Sequence, residues 1–185
     1  MTDAAVRRSA IQTEKLKKVI HRCQTGETAA YREIYSAFGT MLFSIAMRML
    51  GSKEDAEDAV QNTFVKLHRH IGQFRFESKF SSYLVSILIN VCHDLNKKNN
   101  TLLQLYDESD VGQENYTEWG LTLEKAIQML PVKMRECFVL YAIEGFKQKE
   151  IADMLNLSEG TVKAHVFQAK ARLREIINPE GSQSL

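Results

Sequence analysis

Between residues 162 and 176 the apolar side chains fall at Val162, Val166, Ala169, Leu173 and Ile176, in steps of four, three, four and three. That spacing keeps all five on one stripe of a helix with 3.6 residues per turn and is incompatible with a strand, whose faces alternate every residue. It also fixes what points outward: Thr161, Lys163, Ala164, His165, Phe167, Gln168, Lys170 and Arg172. Just upstream, residues 147–155 carry Ile151, Ala152 and Leu155 at helical spacing; Asn156 suits the left-handed stop and Ser158 the cap of the next helix. Two helices joined by a three-residue turn, the second presenting polar and basic groups near its start, make the helix-turn-helix geometry that enters a DNA major groove. Small Ala152 and Gly160 beside the turn fit a close helix crossing. The plainer alternative is an αα-hairpin that only packs.

The rest of the chain follows the same period. There are only two prolines, Pro131 and Pro179, so the fold class is all-α. The spacing predicts helices over residues 11–24, 28–50 with a break near Gly39-Thr40, 53–70 capped by Ser52 with Asp55 three residues on, and 80–97. Leu123, Ala126, Ile127 and Leu130 predict a short helix, and Pro131 opens another with Met134, Cys137, Phe138, Tyr141 and Ala142 buried and Gly145 as its end. Residues 99–120 are poor in aliphatics and read as a flexible linker, although Tyr106, Tyr116 and Trp119 are more aromatic than a spacer needs. The expected organisation is a helical N-terminal segment (1–24), a first small domain (25–98), the linker (99–120), a helix-turn-helix domain (121–178) and a tail (179–185).

A formal net charge of +1 is low for a nucleic-acid binder, but the charge is segregated. Residues 61–98 hold Lys66, Arg69, Arg75, Lys79, Lys97 and Lys98 against Glu77 and Asp94, a balance of +4. Residues 101–120 hold Asp107, Glu108, Asp110, Glu114 and Glu118 with no base, a balance of −5. Basic surfaces separated by an acidic connector are the implied pattern. Cys23, Cys92 and Cys137 are scattered and form no CxxC pair, and neither His21 with Cys23 nor Cys92 with His93 has ligand spacing, so no metal or disulfide is expected. No apolar leader or membrane span stands out, and the expected location is the cytoplasm.

Two further stretches carry candidate chemistry. On the predicted helix 53–70, Ala56, Ala59, Val60, Thr63, Phe64 and Leu67 form the inward stripe, while Asp58, Gln61, Asn62, Val65 and Arg69 form an outer face that by itself reads as ordinary solvated surface. In residues 72–78, Phe74 and Phe76 flank Arg75 in a polar, basic loop. Exposed rings there must fold onto the core or receive a ligand. The next helix buries Phe80, Leu84, Ile87, Val91 and Leu95, and lines up Tyr83, Ser86, Asn90, His93 and Lys97 on a second stripe. Rings for stacking and an amide for base edges suit unstacked bases; the alternative places Phe74 and Tyr83 in the core.

Taken together, the run 55–64 (DAEDAVQNTF), Phe74-Arg75, residues 79–84 (KFSSYL) with Asn90, then Leu130-Pro131, Glu150-Ile-Ala152 and Gly160-Thr-Val-Lys163, in that order over residues 25–177, resemble the extracytoplasmic-function sigma factors of bacterial RNA polymerase. The resemblance implies a region-2 and a region-4 domain, no cofactor and no catalytic chemistry. It assigns Asp58, Gln61, Asn62 and Phe64 to docking on the β′ clamp of core polymerase. Phe74, Arg75, Ser78, Lys79, Tyr83 and Asn90 would read the −10 element, and Thr161, Lys163, Ala164, His165, Phe167, Gln168 and Arg172 the −35 element. The β flap, promoter DNA and an anti-sigma factor are the implied partners. An anti-sigma factor in the inner membrane would hold an otherwise nucleoid-associated protein there.

The chain departs from the family pattern at four positions. Tyr83 stands where Trp is usual and Leu88 where a small Ala is usual, while His165 and Gln168 replace frequent arginines. Without guanidinium groups the best bidentate partner for guanine is missing, and Gln168 favours adenine. No GxxxxGK phosphate loop, paired carboxylates or Ser-His-Asp order points to an enzyme. A duplex-binding regulator that needs no polymerase, and a module that only captures protein partners, are the competing classes.

Overall fold

Ser52 and Ser158 start their helices as capping chemistry requires: each side-chain oxygen accepts a backbone N–H three residues on, from Asp55 at 3.2 Å and Thr161 at 3.0 Å. The computed structural model describes residues 3–105 and 123–178, which contain helices and no strand. In chain order these are α1 (Asp3–Gln24), α2 (Thr28–Leu50), α3 (Lys53–His70), a 3₁₀ turn (Ile71–Gln73), α4 (Phe80–Leu105), α5 (Leu123–Gln128), α6 (Val132–Phe138), a π turn (Val139–Ile143), α7 (Gln148–Leu155) and α8 (Glu159–Ile177).

α1 begins at Asp3, eight residues before its expected start, and three further features differ from the sequence expectation. α2 runs unbroken through Gly39-Thr40. Glycine costs a helix about 1 kcal/mol relative to alanine, but Ile34, Leu42 and Ile45 on the same helix are fully buried and outweigh it. α4 continues to Leu105, so residues 99–105 are helix rather than linker; Leu102, Leu103 and Leu105 are good helix formers. The remainder of the acidic connector, with Tyr106, Tyr116 and Trp119, and the tail lie outside the described residues.

The third difference is one of phase. Pro131 sits at the N-cap of α6 as expected, but the helix passes into a π turn closed by Glu144 N–H to Val139 C=O at 3.0 Å. The extra residue rotates the chain, so Val139 and Leu140 are buried while Tyr141 and Ala142, expected inside, are exposed. Gly145, at φ +74°, then ends the element.

α1 to α4 pack around Ile34, Leu42, Leu67, Leu84 and Leu88; α5 to α8 pack around Ile127, Leu140, Ile151, Val162 and Ala169. The two halves touch. Gln128 Nε2 donates to the α2 carbonyls of Met47 at 3.0 Å and Arg48 at 2.9 Å, and Arg135 Nη1 donates to Met49 C=O at 3.0 Å. The Met47 carbonyl already accepts from Gly51 N–H at 2.9 Å, and these donors satisfy the Arg48 and Met49 carbonyls that the helix end leaves open. Burial lowers the Arg135 pKa, and neighbouring Glu136 opposes the shift. Glu136 is 1% exposed, 2.5 Å from His93 Nε2 across the junction and 2.9 Å from Lys133 Nζ. A carboxylate so enclosed is tolerable only because it is paired on both oxygens.

Candidate polymerase and nucleic-acid interfaces

On α3 the inward stripe and the outer face separate as the period requires. Ala56, Ala59, Val60, Thr63 and Leu67 are buried, and Asp58, Gln61 and Asn62 are exposed. Phe64 is half-buried and packs 5.1 Å from the ring of Tyr35, which is 57% exposed. Beside them lies an open cleft of about 610 Å³ lined by Tyr35, Phe43, Lys53, Glu57 and Gln61 among others. Tyr35 was not singled out in the sequence, although its place one residue off the buried Ile34 marks it as outward.

The loop after α3 is built from aromatic rings. Phe74 is 7% exposed, with ring centroids 4.9 Å from Phe76, 5.2 Å from Phe80 and 5.0 Å from Tyr83. It therefore supports the loop from the core, with little of its ring open to stack a base as the −10 assignment would need. In an extended stretch residues i and i+2 share a face, but Phe76 takes φ +60°, which turns it away from Phe74's burial and leaves it 37% exposed. Arg75, Ser78 and Lys79 are exposed around it, and Asn90 is exposed on α4. Tyr83 is half-buried, with its hydroxyl 3.4 Å from His70 C=O, and burial raises its pKa. Leu88 is fully buried.

Lys79 is not free. Its ammonium lies 2.8 Å from Glu150 at the start of α7, so a residue of the loop touches the helix-turn-helix. Glu150 also accepts from Lys147 N–H at 2.9 Å. Burial pushes the Glu150 carboxyl up, but the hydrogen bonds from Lys79 and Lys147 and their charges outweigh this and hold it below the usual range.

The helix-turn-helix forms as expected. Asn156 takes the left-handed conformation, φ 53° and ψ 51°, and Val162, Val166, Ala169 and Leu173 are buried, with Ile176 partly so. Lys163, Ala164, Phe167, Gln168 and Arg172 are exposed, Phe167 at 74%. Thr161 and His165 turn partly inward: the Thr161 hydroxyl is 2.8 Å from Ser158 Oγ, and His165 Nδ1 is enclosed without a partner. Gly160 is not needed for a close crossing, since an added Cβ would meet nothing nearer than Ser158 Oγ at 3.8 Å.

The three cysteines are buried, and burial pushes their thiols up, to about 11 for Cys23 and Cys137 and about 12 for Cys92. They are protonated and unreactive near neutral pH. Among the described residues no three His, Cys, Asp or Glu side chains are placed to hold a metal ion, and no helix is long and apolar enough to cross a membrane.

Comparison with known proteins matches residues 34–101 to the family described as Sigma-70 region 2 and residues 121–173 to Sigma-70, region 4. The chain is 30% identical over 155 residues to the ECF RNA polymerase sigma factor SigM of Mycobacterium tuberculosis, covering 82% of this chain and 79% of that protein. It is 28% identical over 179 residues to the ECF RNA polymerase sigma factor SigW of Bacillus subtilis, covering 86% and 95%. Among solved structures, the sigma factor RpoE in complex with the anti-sigma factor NepR from Bartonella quintana superposes with a TM-score of 0.70 at 24% identity, over 81% of this chain and 98% of that one. CnrH in complex with the cytosolic domain of CnrY gives a TM-score of 0.68 at 23% identity, over 88% and 96%.

Proposed function

This chain belongs to the extracytoplasmic-function family of RNA polymerase sigma factors, and from that premise we propose how its surfaces divide the work of promoter recognition. The protein binds core RNA polymerase, directs it to −35 and −10 elements and assists strand opening. The observation that carries this is the order, in one chain, of a basic aromatic loop with an amide-bearing helix, followed by a helix-turn-helix with an open polar face.

Asp58, Gln61, Asn62 and the Tyr35–Phe64 pair dock on the β′ clamp. Arg75, Ser78, Lys79, Tyr83 and Asn90 engage the −10 strand, where the free energy for opening comes from trapping unstacked bases. Lys163, Ala164, Phe167 and Gln168 face −35 base edges, with Arg172 toward phosphates and Thr161 and His165 in supporting positions. The helix-turn-helix domain contacts the β flap, and the acidic connector runs through the polymerase. The protein performs no bond chemistry; polymerase does. It acts in the cytoplasm, under an anti-sigma factor of the kind that the structurally similar sigma factor from Bartonella quintana carries.

Reading both elements requires the halves to part. About 25 base pairs of B-DNA extend about 85 Å at 3.4 Å per pair, whereas here Lys79 and Glu150 are 2.8 Å apart. The decisive experiment is selection of promoter DNA by this chain with core polymerase, read by sequencing. Recovery of two spaced elements only in the presence of polymerase is expected; equal recovery by the chain alone would make it an ordinary duplex-binding regulator.

A further inference from the structure

Phe76 is a bulky residue held in a left-handed conformation, φ +60°, that side chains other than glycine, asparagine and aspartate rarely adopt. Such strain persists only where surrounding contacts over-determine it, and it concentrates at ligand-binding positions. The contacts here come from α1. The Gln24 carboxamide donates two hydrogen bonds, to Ile71 C=O and Phe74 C=O, both at 3.0 Å, clamping the backbone on either side of the 3₁₀ turn that leads into Phe76. His21 sets its ring 5.7 Å from the Phe76 ring. The end of α1 is itself fixed, since Arg22 ion-pairs with Glu27 and, at 2.6 Å, with Glu33 of α2.

What this arrangement presents is a ring 37% exposed at the mouth of a cleft of about 530 Å³, whose other walls include Leu16 and Lys17 of α1 and Phe80 and Lys79 of the loop side. An aromatic face beside the Lys17 and Lys79 ammonium groups, the first 3.9 Å from Glu14 and the second held by Glu150 until the halves part, suits one unstacked base and its phosphate. We propose that Phe76 is the base-stacking residue of the −10 loop and that Gln24 is the positioning residue that keeps it in place, which makes α1 part of the −10 reader. This rests on the reading of the loop as the −10 site.

The test uses holoenzyme on promoter DNA recovered by selection. Phe76→Gly suits the left-handed backbone, so thermal stability should hold or rise while open-complex formation falls roughly 5- to 150-fold, the range that one stacked base spans. Phe76→Asn, also tolerant of positive φ, should behave alike, and Phe76→Tyr should retain activity. Gln24→Glu keeps the shape but loses the donors; it should lower opening in the same direction with unchanged affinity for core polymerase and faster amide exchange in residues 74–78. Normal opening by Phe76→Gly and Phe76→Asn while Asn90→Ala is impaired would overturn the proposal alone. Normal opening by all three would overturn the −10 reading beneath it.

Discussion

The two candidate DNA-facing regions are built on different principles. On α8 the candidate residues stand on a regular helix whose buried stripe holds it rigid, and Lys163, Ala164, Phe167, Gln168 and Arg172 are open to solvent together. Around the −10 loop the candidates are entangled with the fold: Phe74 is core, Tyr83 is half-buried and Lys79 is paired across the domain junction. A helical face can be read by register alone, whereas a loop acquires its face from whatever it packs against. Changes under the loop should therefore disturb its site broadly, and changes on α8 should act one side chain at a time.

The largest effect should come from removing the loop's support. Phe74, 7% exposed and packed against the rings of Phe76, Phe80 and Tyr83, should cost about 3–5 kcal/mol on truncation to alanine. Urea unfolding measures the loss, and strand opening should suffer with it while protection of the −35 element by holoenzyme survives. Loss of both together would mean that the two regions are not separable.

Next come the side chains proposed to read bases. Lys163→Ala should cost about 1–3 kcal/mol at a single −35 position, seen by competition among promoter variants; an equal loss on every sequence would make Lys163 a phosphate contact. Asn90→Ala should relax −10 choice by a similar amount and leave polymerase affinity untouched. Unchanged −10 selectivity in that variant would remove Asn90 from the site.

Smaller effects sharpen the contrast further. Ser158→Ala deprives α8 of its cap and should destabilise the helix-turn-helix by about 1 kcal/mol, lowering −35 affinity without changing sequence preference. The Lys79–Glu150 pair, with Lys79 63% exposed, is worth at most about 1 kcal/mol. Because Glu150 is held below the usual carboxylate range, the contact stabilises the closed form at pH above that range and loses its contribution as pH falls through the depressed value. Energy transfer between labels on the two halves should show a slightly larger open fraction for Glu150→Gln, at acidic pH and at high salt. No response to any of the three would show that the pair does not hold the halves together.

The helical stretches were legible because capping residues and 3.6-residue spacing act locally: Ser52, Asn156 and Ser158 do what their side-chain chemistry dictates. The π turn at Val139–Ile143 was not, because nothing in its composition distinguishes a widened turn from an ordinary one, and it moved Tyr141 and Ala142 to the surface. Tyr35 carried no local signal, because its ring meets Phe64 only once α2 and α3 pack together. The grip of α1 on the loop had no signal in its sequence, because Gln24 meets Ile71 and Phe74 only after folding.

What the amino-acid sequence determined by itself was the helical class, the order of a basic aromatic loop before a helix-turn-helix, and the outward face of α8, since each follows from periodicity and motif order within a segment. Only tertiary structure decided that Phe74 is buried and Phe76 exposed, that Gln24 grips the loop, and that Gln128 and Arg135 cap α2 from the other half. Those contacts join residues about fifty to ninety positions apart. They depend on which surfaces burial brings together, and no local spacing encodes that.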